Sequence, residues 1–154
     1  TGHMALEKYP LSAVVITMSR EKKEVPPSNA VLVQVTADKS EAWRQLYNQK
    51  MQSVDNAADI TMRDMSEIVK AGTAWFVVRD GMQIGIGIVE DNWISTMAAT
   101  VKGGGTEVLS ALCAAITDGP IHLQVAQSNH KALALYREFG FRESEGEIKW
   151  YKIV

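Results

Sequence analysis

One cysteine in 154 residues, Cys113, leaves no material for an internal disulfide framework or a multi-cysteine metal site. Long apolar runs are missing as well. Nothing approaches the roughly 18 residues a membrane-spanning helix needs, and no cationic segment leads into an apolar one as in a secretory signal. Neither sign of charge is in excess: 16 basic side chains face 18 acidic ones, a formal −2, and no long run of either exists. That balance gives no case for a nucleic-acid surface or for attraction to an anionic membrane. His122 and His130 lack partners at ligand spacing, so no metal is expected. A reducing, cytoplasmic setting is the expectation.

At 46% hydrophobic, the chain can build one compact core and is too short for two comfortable domains. Thr1-Gly2-His3-Met4 reads as a cloning remnant, so the chain can be a piece cut from a longer protein. Residues 5–29 form an N-terminal strand and a charged, proline-containing linker, Ser19 to Asn29, and residues 30–154 form the main domain.

The apolar spacing gives an order of elements. Ala13 to Met18 and Ala30 to Val35 read as strands rich in β-branched residues. Asp38, with Glu41 three residues on, is expected to cap a helix whose apolar face carries Trp43, Leu46, Tyr47, Met51 and Val54. A second helix starts at Thr61, buries Met65, Ile68 and Val69, and ends at Gly72. Asp80-Gly81 between apolar runs predicts a hairpin, since Gly accepts the positive φ of such turns. On its second strand, Gly85 and Gly87 mark a bulge or a close approach of substrate.

A strand from Trp93 to Ala99 leads to Gly103-Gly104-Gly105 and a third helix burying Val108, Leu109, Leu112, Ala115 and Ile116, stopped by Gly119-Pro120. Cys113 lies within it as a small buried hydrophobe. Ile121 to Val125 alternates as a half-buried strand, a fourth helix follows Asn129, and Glu147 to Val154 is the last strand. The order is β, β, α, α, β, β, β, α, β, α, β, which packs as a mixed sheet with helices on both faces.

Two stretches point to chemistry. Three glycines between a strand and a helix either form a plain turn or expose bare N–H groups at the positive end of the helix dipole as a ready site for a pyrophosphate. The loop is no Walker motif, because no Gly-Lys-Ser/Thr ends it, and the Rossmann glycine spacing is absent. The second stretch is the fourth helix. Asn129 is a good N-cap, Tyr136 an amphipathic core residue, Gly140 a left-handed C-cap and Phe141 its apolar partner.

Taken together, the glycine loop, the strand after it and "NHKALALYREFGF" (Asn129 to Phe141) resemble the GNAT superfamily of acyl-CoA-dependent N-acetyltransferases, over roughly Val31 to Val154. The resemblance implies an α/β (α+β) fold with a mixed, mostly antiparallel sheet splayed at its centre and helices on both faces. It implies acetyl-CoA as cofactor and transfer of an acetyl group to a primary amine of a small molecule or peptide. Gly103 and Gly105 would take the two small positions of the family's loop, which puts Thr100 where Arg or Gln usually stands. A shorter loop would let Lys102 supply the charge, at the expense of the apolar register.

The cofactor-binding residues so implied are Met97, Ala98 and Ala99 along the strand, Val101, Lys102, Gly103, Gly104, Gly105 and Thr106 in the loop, and Asn129 and Tyr136. Tyr136 would protonate the departing thiolate. The strand Asn92 to Thr100 carries no carboxylate, so Glu90, on the turn before it, is the nearest candidate base. The alternative reading is a catalytically weak CoA-binding or regulatory domain of a larger protein. The detached N-terminal strand would be free to pair with the sheet edge of a second copy in a homodimer.

Overall fold

The computed structural model describes residues 13–21, 28–51, 60–117 and 119–151. The element order is the one the sequence predicts: β1 (Ala13–Arg20), β2 (Val31–Gln34), α1 (Ser40–Met51), α2 (Met62–Ala71), β3 (Ala74–Arg79), β4 (Met82–Glu90), β5 (Trp93–Ala99), α3 (Gly105–Ala114), β6 (Ile121–Ala126), α4 (His130–Glu138) and β7 (Arg142–Tyr151). The strands form one seven-stranded sheet in the order β2-β3-β4-β5-β6-β1-β7, antiparallel everywhere except between β5 and β6.

Local signals account for most boundaries. Thr61 and Asp64 form a reciprocal capping box at the start of α2, and Gly72 ends that helix with φ 72°. Asp80 and Gly81 both have positive φ, 52° and 78°, as a two-residue hairpin turn requires. The expected cap at Asp38 is not formed. Residues Ala37–Lys39 make a 3-10 turn, in which the Thr36 hydroxyl donates to the Asp38 carboxylate, and Glu41 instead pairs with Arg44 at 2.7 Å. Helix α3 stops at Ala114, so Ala115 is exposed and Ile116 is buried from beyond the helix end. Strand β7 starts at Arg142, five residues before the expected Glu147, because Ser19↔Arg142 already pairs with β1. Val54 lies outside the described residues.

The N-terminal strand does not stand apart from the sheet. It lies between β6 and β7 and pairs with both, and Val15, Ile16, Thr17 and Met18 are buried. With both edges bonded, it has no edge to offer a second copy. The edge strands of the sheet are β2 and β7.

Two cores cover the two faces. On one, α3, α4 and the turn after α4 bring Val108, Leu109, Leu112, Leu133, Tyr136 and Phe141 against Ile94, Leu123, Val125 and Met18. On the other, α1 and α2 bring Trp43, Tyr47, Met65 and Ile68 against Ile86 and Ile88. Trp43 is fully buried, stacks on Tyr47 with centroids 5.6 Å apart, and donates its indole N–H to Trp75 O at 3.0 Å, a packing role. Cys113 is likewise buried in the α3 core.

Alternation along β4 explains its glycines. Ile86 and Ile88 face α1 and α2, so Gly85 and Gly87 face α3. A Cβ on Gly87 would stand 2.6 Å from Leu112 Cδ1, and one on Gly85 would meet Val108 and stand 2.8 Å from Ala98 O. The close neighbour is therefore a helix rather than a substrate. A bulge is present as well, since Ile84 is left over between the pairs Val77↔Gly85 and Val78↔Gln83.

Candidate active site

Strands β5 and β6 pair only at Trp93↔His122 and Ile94↔Leu123. Beyond that point they part. They part where the β4–β5 ladder shifts register: Ile88 pairs with Thr96 and Val89 with Ile94, leaving Ser95 as an extra residue on β5. A bulge of this kind bends its strand and reverses the sense in which its backbone groups point. The Thr100 N–H bonds Ile84 O at 2.8 Å, so the ladder pairs Ile86↔Ala98 and Ile88↔Thr96 are the hydrogen-bonded ones. Met97 and Ala99 consequently turn their N–H and C=O groups toward β6, into the gap. Ala98 turns its own groups to β4, so only two of the three expected residues offer backbone there.

The loop Thr100 to Gly104 closes one end of the gap. Gly103 has φ 78°, a conformation that suits glycine, and Gly104 is the N-cap of α3, with no side chain bonded to the first-turn amides. Two loop positions are already engaged. The Gly104 N–H bonds Val101 O at 3.2 Å, and the Thr100 hydroxyl donates to Gln83 Oε1 at 2.5 Å. Thr100 is thus tied back to β4, and Lys102 is the exposed cation of the loop. Glu107 places a carboxylate in the first turn of α3, where Arg79 of β3 pairs with it. Neither Gln83 nor Arg79 carries a sequence signal for this role, since each acts through the hairpin register.

Helix α4 borders the loop from the other side. A Cβ on Gly105 would stand 3.1 Å from Leu135 Cδ2, so the start of α3 touches the last turn of α4. Asn129 caps α4, its Oδ1 accepting from the Ala132 N–H at 3.2 Å. Tyr136, 8% exposed, sits in the α3–α4 core next to Leu135. The helix ends in a Schellman motif: Phe141 N–H bonds Tyr136 O at 2.9 Å and Gly140 N–H bonds Arg137 O at 3.1 Å. Arg20 of β1 donates to Phe139 O and lies over the Phe139 ring, 5.3 Å from its centroid. The structure thus runs Met97, Ala99 and Gly103 into the start of α3, where Gly105 meets the last turn of α4, while Asn129 stands at the first turn of α4 and Tyr136 lies against Phe141 in the core.

Glu90 lies elsewhere. It is the last residue of β4, not a turn residue, and pairs with Trp93 where β5 and β6 are still paired, at the end away from the loop. Its Oε1 accepts from Ser95 Oγ at 3.1 Å. Burial holds its pKa above the usual glutamate value, Ser95 opposes this, and neighbouring Asp91 adds to it. Sequence reasoning missed Ser95 and Thr96. Their only signal was a pair of hydroxyls inside an apolar strand. Among the described residues no group of His, Cys, Asp or Glu could hold a metal ion, and no helix is long and apolar enough to cross a membrane.

No protein-family model and no curated protein matches the sequence. Solved structures do match. An aminoglycoside N-acetyltransferase, AAC(6')-Iy in complex with CoA, superposes with TM-score 0.60 at 16% identity, over 84% of this chain and 98% of its own. A GCN5-related N-acetyltransferase from Sphaerobacter thermophilus gives TM-score 0.61 at 15% identity, over 89% of this chain and 50% of its own. Arabidopsis thaliana Naa50, bound to a CoA–peptide bisubstrate analogue, gives TM-score 0.52 at 16% identity, over 73% of this chain and 82% of its own. The chain spans about half the length of some of these matches, including 48% of a Drosophila protein. At these identities the likeness concerns the fold, and the chain has the fold of the GNAT acetyltransferases.

Proposed function

We propose that this chain is an acyl-CoA-dependent N-acetyltransferase acting on the amine of a small molecule or peptide. The observation that carries the reading is the gap itself. Two parallel strands part beyond a bulge, the Met97 and Ala99 backbone faces the opening, and an uncapped helix start closes one end. These residues fit a CoA. The amides of Val101, Lys102, Gly103, Gly105 and Thr106, with the α3 dipole, would receive a diphosphate, and the Lys102 ammonium adds charge. Met97 and Ala99 would pair with an amide-containing arm as a neighbouring strand would. Asn129 would hold that arm through the part of its side chain not used as the cap. Acetyl-CoA, when bound, supplies an activated acetyl thioester.

The chain's own groups do the rest. A backbone N–H of Met97 or Ala99 is a donor for the charge that develops on a carbonyl oxygen in the gap. Tyr136 holds a phenolic proton for a departing thiolate. Glu90, with its raised pKa, accepts the proton an alkyl ammonium must lose before it can attack, its own pKa being about 10.4. The aminoglycoside and peptide complexes among the fold's relatives support an amine acceptor without choosing between the two classes.

Two observations favour a second reading, a CoA-binding domain with little catalysis: the first loop residue, Thr100, is tied to Gln83, and β5 carries no carboxylate. Calorimetry with CoA, followed by thiol release from acetyl-CoA in the presence of amines, separates the two. Binding together with amine-dependent thiol release is expected. Binding with no release favours the second reading, and no binding refutes both.

A further inference from the structure

The bulge has a second effect. Cross-strand partners share a face, so Thr96 faces α1 and α2 with its partner Ile88, as Ala98 does with Ile86. Ile94 points the other way, into the α3 core, and Ser95 reaches Glu90 on the α1–α2 face. Two consecutive hydroxyls therefore emerge on one face, where a regular strand would send them to opposite ones. Both are buried, Ser95 at 7% and Thr96 at 3% exposure. They lie at the point where β5 leaves β6, on the side of the sheet opposite α3 and its loop. Ser95 is bonded to Glu90. Among the described residues Thr96 Oγ1 has no hydrogen-bond partner.

A buried hydroxyl without a partner destabilises a fold. Val has nearly the same shape as Thr and would remove that cost at this position. A polar group in such a place points to a ligand that completes it. We infer that Thr96 and Ser95 form the acceptor-amine subsite, Thr96 Oγ1 accepting an N–H from the incoming nitrogen and Ser95 passing its proton to Glu90. In that relay Ser95 gives its own proton to Glu90 Oε1 and takes one from the ammonium. A carboxylate and an ammonium become a carboxylic acid and a neutral amine. The inference rests on the acetyltransferase reading and adds to it the residues that receive the second substrate.

The test uses Thr96→Val, Thr96→Ser and Ser95→Ala, with acetyl-CoA and a panel of spermidine, an aminoglycoside and a short peptide with a free N-terminus. Thr96→Val should raise Tm by about 2–4 °C, because the buried hydroxyl is gone. It should leave CoA affinity unchanged and lower kcat/KM for the amine about tenfold, through KM. Thr96→Ser should restore most of that loss. Ser95→Ala should act on kcat instead, by about a hundredfold. A Thr96→Val variant with wild-type kcat/KM, or with a lowered Tm, overturns the subsite and leaves the acetyltransferase reading standing. A wild-type chain that binds CoA yet acetylates no amine of the panel, or that binds no CoA, overturns both.

Discussion

The rings of Tyr136 and Phe141 meet edge to face, with centroids 6.1 Å apart and planes inclined at 64°. Phe at position 136 would keep that contact and lose only the hydroxyl. Tyr136→Phe should therefore fold normally and bind CoA almost as the wild type does. Its kcat should fall by about a hundredfold or more, the usual contribution of a general acid. Pre-steady-state thiol release measures the step directly, and an unchanged rate would remove Tyr136 from the chemistry.

As the proposed base, Glu90 would link activity to stability through pH. Its pKa lies above the ordinary value of 4.5, with burial as the main cause. A carboxyl raised in the folded state contributes stability that is fully present below its unfolded pKa and is lost as pH rises through the folded one. Glu90→Gln should match the wild type in acid and exceed it at neutral pH, as read from urea midpoints across that range. The acid limb of kcat/KM, where protonation disables the base, should vanish in the same variant. A variant that is less stable at neutral pH would show that the carboxylate is held by attraction rather than strained by burial.

The α3 helix rests on bare backbone at Gly85 and Gly87. Ala at either position should cost about 1–3 kcal/mol in chemical denaturation. The two differ in what can relieve them. The obstacle at Gly87 is the Leu112 side chain, whereas at Gly85 it includes the fixed carbonyl of Ala98. Gly87→Ala combined with Leu112→Val should lose less than the sum of the single losses, and Gly85→Ala with Val108→Ala should recover less.

The loop offers a test of anion binding. Gly103 has open space around it but φ 78°, so Ala there meets only backbone strain, worth about 1 kcal/mol. Gly103→Ala should lower Tm slightly and weaken CoA binding, because relief of that strain would move the amides proposed to receive the phosphates. Calorimetry showing wild-type affinity would exclude these amides as the cradle.

What was legible in the sequence followed from how local each signal is. Thr61, Gly72, Asp80-Gly81 and Gly140 act within a few residues of themselves, and each boundary they mark is found in the fold. Asn129 caps its helix and Gly103 turns its loop for the same reason. The Asp38 cap failed because Thr36 competes for the same carboxylate. The place of β1 could not be read, since a strand's own residues do not name its neighbours and its partners lie more than a hundred positions away. The same limit hid Ser95 and Thr96. Their common face is a product of register, and a one-residue bulge leaves no mark in composition.

The seat of β1 has a consequence for how this protein is made. The half-sheet beyond the gap is assembled from segments far apart in sequence, Ala13–Arg20 lying between Ile121–Ala126 and Arg142–Tyr151. During synthesis β1 cannot complete its pairing until Ile121–Ala126 and Arg142–Tyr151 have emerged, more than a hundred residues later. Closing so long a loop is slow, and the waiting apolar segment is open to capture by other chains. Folding yield should thus depend on what shields "AVVITM" in the interval, more than on the stability the finished molecule attains.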